Sequence, residues 1–201
     1  MNSFMIRFLS ASSAITFLTV GVSLAAAYAV SGSLVGSVSV ADLRRWGGVS
    51  IDDLKALELW RIPVAQLLHA KALHMLFNAL WLFLLGQLLE RRIGALRLLA
   101  LWLIAGGIAT AISPIGVESP WNVGTGASQA IFAFAGCALV LAAGHAVDRK
   151  HAIALASTYL AAALLLDVAS AGYPKPGHVA GALLGALLGA TFLERARRTP
   201  A

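Results

Sequence analysis

Cysteine is almost missing from this 201-residue sequence. The single thiol, Cys137, lies inside a hydrophobic run, which excludes a disulfide framework and a thiolate metal cluster. Charge is scarce as well. Asp, Glu, Lys and Arg make up 12% of the chain, against about a quarter in soluble domains, and 59% is hydrophobic. The mean hydropathy is +0.83. No phosphate-binding loop is present. His69 and His74 are five apart with no glutamate after the first, so they do not make the His-Glu-x-x-His helix of a zinc enzyme. Ala130 stands two residues after Ser128, which breaks the Gly-x-Ser-x-Gly pattern of soluble hydrolases. No repeat, low-complexity segment or separate soluble domain is visible, and nothing calls for a metal or a cofactor.

What the sequence does have is long runs without charge. Phe8–Ala41, Ala72–Leu89, Leu98–Val117, Trp121–Val147, Ala152–Leu166 and Pro176–Leu193 contain no Asp, Glu, Lys or Arg. A helix needs about 20 apolar residues to cross the hydrocarbon core, and five of the six runs reach that scale. The fifth run is short, and Asp167 beyond it is expected at the membrane surface. The chain therefore reads as one all-α membrane domain over 1–201, with six spans near 9–31, 70–89, 96–113, 126–144, 152–169 and 177–193. A long loop, 32–66, carries Trp46 and Trp60 and is expected at the interface. The first run is too long for a signal h-region of about 7–15 residues, so it is expected to be retained as a helix.

The formal net charge of +6 would suggest nucleic acid in a soluble protein. Here the basic residues flank apolar spans, so they report orientation in the lipid bilayer instead. One alternating set of helix ends holds nine: Arg7, Arg91, Arg92, Arg97, Arg149, Lys150, Arg195, Arg197 and Arg198. The other set holds six, and five of these fall in or beside the long first loop. Both termini are expected in the cytoplasm, in a bacterial inner membrane.

Polar side chains within spans are costly and point to function. His69, His74, Asn78, Ser128, Gln129 and His178 all lie near the starts of the second, fourth and sixth spans, which enter from the same side. They are expected to converge at one depth. His74 and Asn78 are four apart and share a helix face. His69 would point about 140° away on a continuous helix, so a structural role above the helix is expected for it. His178, Gly181, Gly185 and Gly189 form a stripe suited to close helix contact. Gly126 gives a flexible entry to Ser128, and Phe132, one turn on, is placed to hold an imidazole. A serine beside a histidine base is a minimal activated nucleophile, and free N–H groups at a helix start stabilise an anion.

From Glu58 onward, these residues resemble the rhomboid intramembrane serine proteases. Trp60-Arg61 is similar to that family's loop element, and His69, His74 and Asn78 match its spacing on the second helix. Gly86, Glu90 and Gly94 resemble the pattern at that helix's inner end. Gly126-Ala127-Ser128 resembles the nucleophile motif and Gly177-His178-Val179-Ala180-Gly181 the histidine motif. The resemblance implies a dyad in which Ser128 attacks a peptide carbonyl and His178 takes its proton. It implies oxyanion donors in His74, Asn78 and the Ser128 N–H, with transmembrane proteins as substrates. Asp167, at the far end of the fifth span, is left outside the chemistry. Gln129 departs from the family, which usually has glycine after the serine. That residue alone favours the first rival, an inactive relative that binds transmembrane helices. The second rival, a small transporter, needs polar residues through the full depth. The spans beyond Ser128 and His178 are nearly all apolar.

Overall fold

The computed structural model describes residues 9–198, with side chains as far as Glu194. Arg7 lies outside the described residues, as do the side chains of Arg195, Arg197 and Arg198. Helix α1 (Ala11–Ser31) is followed by three short loop helices, α2 (Val40–Arg45), α3 (Ile51–Lys55) and α4 (Arg61–Ala65). The remaining helices are α5 (Ala72–Ile93), α6 (Ala95–Ile112), α7 (Ser128–Ala143), α8 (Arg149–Ala171) and α9 (Pro176–Arg198). Five of them, α1, α5, α6, α8 and α9, are long and apolar enough to cross a membrane.

The expected fourth span is the exception. Helix α7 has 16 residues, hence a rise of about 24 Å against a hydrocarbon core of about 30 Å. Its surroundings explain the short length. Thirteen of its sixteen residues are buried, and it packs against α5, α6, α8 and α9. A helix enclosed by protein does not have to match the thickness of lipid. The other helices supply the apolar exterior, with Leu76 and Leu80 of α5, Leu103 and Ile108 of α6, and Leu165 of α8 all exposed.

The glycine stripe on α9 faces α7. A Cβ at Gly181 would collide with the Gln129 carbonyl oxygen, and one at Gly185 with that of Ala133. At Gly189 it would stand 3.0 Å from the Cys137 Cα. Gly136 answers from α7, where a Cβ would strike the Ala182 carbonyl. Backbone therefore lies on backbone, which only a small-residue seam allows. On its other side α9 exposes Val179, Leu183 and Leu187, spaced by four.

Helix α1 is built into the bundle. Glu90, near the end of α5, accepts from the Ala11 and Ser12 amides at 2.9 and 2.8 Å and from the Ser12 hydroxyl at 2.7 Å. A carboxylate at a helix start satisfies free N–H groups and suits the helix dipole. One turn earlier, Gly86 leaves room for Ser12, whose Cβ would be 2.7 Å from an added Cβ.

The loop 32–66 is held by charge. Asp53 bonds the Arg44 guanidinium at 2.8 Å and the Ser50 hydroxyl at 2.6 Å. Burial alone would raise the Asp53 carboxyl, but these bonds hold it down at about 2. Arg61 pairs with Glu58, donates to the Arg44 carbonyl at 2.6 Å and lies 4.7 Å from the Trp60 ring centroid. Trp60-Arg61 thus shapes the loop.

Candidate active site

Ser128 is the first residue of α7. Gly126, with φ of +97°, turns the chain into the helix in a conformation that residues with side chains rarely adopt. Opposite stands His178, in the first turn of α9. The glycine seam draws the two helix starts together, and Ser128 Oγ lies 2.8 Å from His178 Nε2. Both side chains are buried, at 5% and 7% exposure. Phe132, one turn below Ser128, stacks on the imidazole at 4.4 Å between centroids and 13° between planes. The two rings lie face to face.

The other nitrogen of His178 is also engaged. Nδ1 lies 2.6 Å from Asp167 Oδ2, and Asp167 is 2% exposed. This corrects the expectation that Asp167 sits at the membrane surface, apart from the site. Helix α8 rises toward the end of the bundle where α9 begins. The short turn after Gly172 (φ of +80°) then brings the chain back beside it. Asp167 Oδ2 also accepts the Lys175 N–H at 3.1 Å, and the Lys175 Nζ stands 3.4 Å from Oδ1.

His69 needs a second correction. It precedes α5, which begins at Ala72, so helical phase does not set its direction. It is buried in contact with Asn78 rather than standing above the helix. Ser23 of α1 donates its one hydroxyl proton to the Leu67 carbonyl at 2.7 Å and therefore accepts from His69 Nδ1 at 3.0 Å. The Nε2 lone pair then accepts from Asn78 Nδ2 at 2.9 Å and the Ala127 amide at 3.3 Å. Burial first, then the neighbouring His74, push His69 down to about 3, in keeping with a neutral acceptor. His69 thus sits among Ser23, Asn78 and the Ala127 amide rather than above the helix. His74 lies one turn before Asn78 and is more open, with its ring edge-on to that of His69 at 5.4 Å.

Gln129 bonds on both sides. Its Oε1 is 3.2 Å from Ser128 Oγ, and its Nε2 donates to Ser113 Oγ at 3.2 Å. Tyr159 of α8 donates to the Ser128 carbonyl at 3.3 Å and packs edge-on against Phe132 at 5.3 Å. Sequence reasoning passed over Tyr159, Ser23 and Ser113, and it left Asp167 outside the site. A buried tyrosine in mid-span was the one visible signal, because its hydroxyl needs a partner there. Among the described residues, no group of three or more His, Cys, Asp or Glu could hold a metal ion.

The long apolar helices define an integral membrane protein, with a serine and a histidine paired at one end of the bundle. The Rhomboid domain matches residues 56–195, and the chain belongs to the rhomboid family. It is 27% identical over 157 residues to rhomboid protease AarA of Providencia stuartii, covering 67% of this chain and 56% of AarA. It is 32% identical over 143 residues to the rhomboid relative YdcA of Bacillus subtilis, covering 70% of this chain and 71% of YdcA. A plant relative, RHOMBOID-like protein 4 of Arabidopsis thaliana, is 29% identical over 156 residues, covering 76% of this chain and 39% of that protein. The chain thus spans about half of AarA and less of the plant protein.

Proposed function

We propose that this protein is an intramembrane serine endopeptidase that cleaves transmembrane substrates near the outer membrane face. The observation that carries the reading is the 2.8 Å approach of Ser128 Oγ to His178 Nε2, at the starts of two tightly packed helices. Ser128 is the nucleophile and His178 the general base. The Ser128 N–H opens α7, where an amide has no acceptor within the helix, and it serves the oxyanion. Asn78 gives one amide proton to His69 and keeps the second for the same task, with His74 as a further donor. Each such donor contributes about 3 kcal/mol to the transition state. A substrate helix hides its carbonyls in its own hydrogen bonds, so segments with small or helix-weakening residues are the expected substrates. No cofactor takes part.

The orientation follows from the charge pattern: six spans counting α7, both termini in the cytoplasm, and the site end outward in a bacterial inner membrane. The inactive-relative reading rests only on Gln129, and the nearly all-apolar run of α7 beyond Ser128 and of α9 beyond His178 does not suit a transporter.

The test is cleavage of a model transmembrane protein by the purified chain, with Ser128→Ala beside it. Wild type is expected to cleave and to be labelled by a fluorophosphonate at Ser128, and the variant to do neither. Equal cleavage by both, with no labelling, refutes the reading.

A further inference from the structure

The resemblance to the family implies a serine–histidine dyad, yet in this chain a carboxylate bonds the far nitrogen of that histidine. We propose that Asp167 is a positioning residue that fixes the tautomer of His178 and stabilises its charged form during catalysis, making a Ser128–His178–Asp167 arrangement. The inference rests on the protease reading above and deepens it.

Geometry supports this at each link. Asp167 Oδ2 is 2.6 Å from Nδ1, short enough for a charge-assisted bond. That bond places the neutral imidazole's proton on Nδ1 and leaves the Nε2 lone pair to face Ser128 Oγ at 2.8 Å. The carboxylate is 2% exposed, so water does not compete for it. It is aimed by the Lys175 amide, and its second oxygen faces the Lys175 ammonium at 3.4 Å. The other titratable groups with electrostatic reach to the pair are His74 from α5 and Tyr159 on α8. Among the described residues, Asp167 is the one carboxylate paired with His178.

The step balances without any further reactant. Ser128 Oγ forms a bond to the substrate carbonyl carbon, and the carbonyl π pair moves to oxygen. The Ser128 proton passes to His178 Nε2. The resulting imidazolium keeps its Nδ1 proton bonded to Asp167, which stays ionised. On collapse the C–N bond breaks and the Nε2 proton goes to the leaving amine. Water then releases the acyl group by the same transfers in turn.

The test uses the full chain in proteoliposomes with a model transmembrane substrate. Asp167→Asn keeps the shape and removes the charge. We expect kcat to fall at least about 100-fold, in line with removing this charge from a serine triad. KM should stay within about twofold. The acid limb of the pH–rate profile should move to lower pH when this anion is removed. Asp167→Glu should recover at least about tenfold over Asp167→Asn. A purely structural role would move none of the profile. If folded Asp167→Asn turns over like wild type with an unmoved acid limb, the proposal is overturned and Asp167 only holds the Lys175 turn. If Asp167→Asn does not fold, proton NMR of the wild-type chain decides. A far-downfield imidazole Nδ1 proton, lost in His178→Gln, supports the pair, and its absence overturns it. Should wild type and Ser128→Ala both fail to cleave, the protease reading falls, while the resonance still judges the Asp167–His178 bond.

Discussion

Gln129 is the point at which this chain departs from its family's motif, and the geometry predicts how little that departure costs. The Ser128 hydroxyl has one proton and two candidate acceptors, His178 Nε2 at 2.8 Å and Gln129 Oε1 at 3.2 Å. Hydroxyl donors bond oxygen at about 2.5–3.0 Å, so the amide is a stretched acceptor. A neutral hydrogen bond contributes about 0.5–1.5 kcal/mol net, and a stretched one lies at the low end. Even equal sharing would leave half the molecules with the proton on the path to His178. Replacing Gln129 with Met keeps the bulk and removes the acceptor. The expected gain in kcat is therefore no more than about twofold, with KM little changed. The assay is cleavage of a reconstituted transmembrane substrate together with the rate of fluorophosphonate labelling. A folded Gln129→Met protein that loses more than tenfold in both would refute this reasoning, because the carboxamide would then be taking part in the reaction. A gain well above tenfold would refute it from the other side, by showing that Gln129 holds the nucleophile in reserve.

Two other perturbations test the scaffold. His69 is neutral when folded, held down at about 3 by burial and then by His74, whereas the unfolded chain titrates near the ordinary value of 6.5. The unfolded state therefore binds more protons between these values, so the His69 contribution is full above pH 6.5 and is lost as pH falls toward 3, by at most about 1.4 kcal/mol per pH unit. Thermal midpoints from pH 7 to 5 should fall more steeply for wild type than for His69→Gln, and parallel slopes would show that His69 titrates normally. Gly185→Val drives a side chain into the Ala133 carbonyl and should cost at least the 1–3 kcal/mol typical of overpacking. Gly21→Ala is the control, because nothing lies within 4 Å of its Cβ position. Similar melting of both variants would mean that the α7–α9 seam is looser than described.

The sequence made the helices legible because charge-free runs of span length leave few alternatives in lipid. It also made the convergence of Ser128, His178 and Asn78 legible, since counting spans brings three helix starts to one end. Three things escaped it. The shortness of α7 depends on being enclosed by four other helices, which no run of apolar residues reveals. His69 was misplaced because a helix start three residues later was not visible, and the rotation argument assumed a continuous helix. The third is the buried position of Asp167 beside His178. The fifth span ends on the same side as the sixth begins, and only eight residues separate Asp167 from Lys175. Topology alone therefore put the carboxylate near His178, but the family's two-residue pattern left no role for it.

The two corrected residues share one physical logic. Each buried histidine is bound at Nδ1 by a fixed acceptor: His69 by Ser23, whose own proton is committed to the Leu67 carbonyl, and His178 by Asp167. In each the Nε2 lone pair is thereby turned toward α7. There the histidines do different work, because their acceptors differ in charge. The neutral Ser23 hydroxyl gives His69 no reason to become a cation, so it stays an acceptor that holds Asn78 and the Ala127 amide in place. In the proposed reaction the Asp167 carboxylate holds His178 Nδ1 while Nε2 takes the proton from Ser128. Exchanging the two environments should exchange the behaviours. Ser23→Asp places a carboxylate against His69 Nδ1, favours its protonation, and turns Nε2 from acceptor into donor toward the Asn78 and Ala127 donors. That variant should lose cleavage through a disordered oxyanion site, with kcat falling while fluorophosphonate labelling of Ser128 slows in parallel. Retention of full activity would show that the His69 tautomer does not matter and that Asn78 is held by other means.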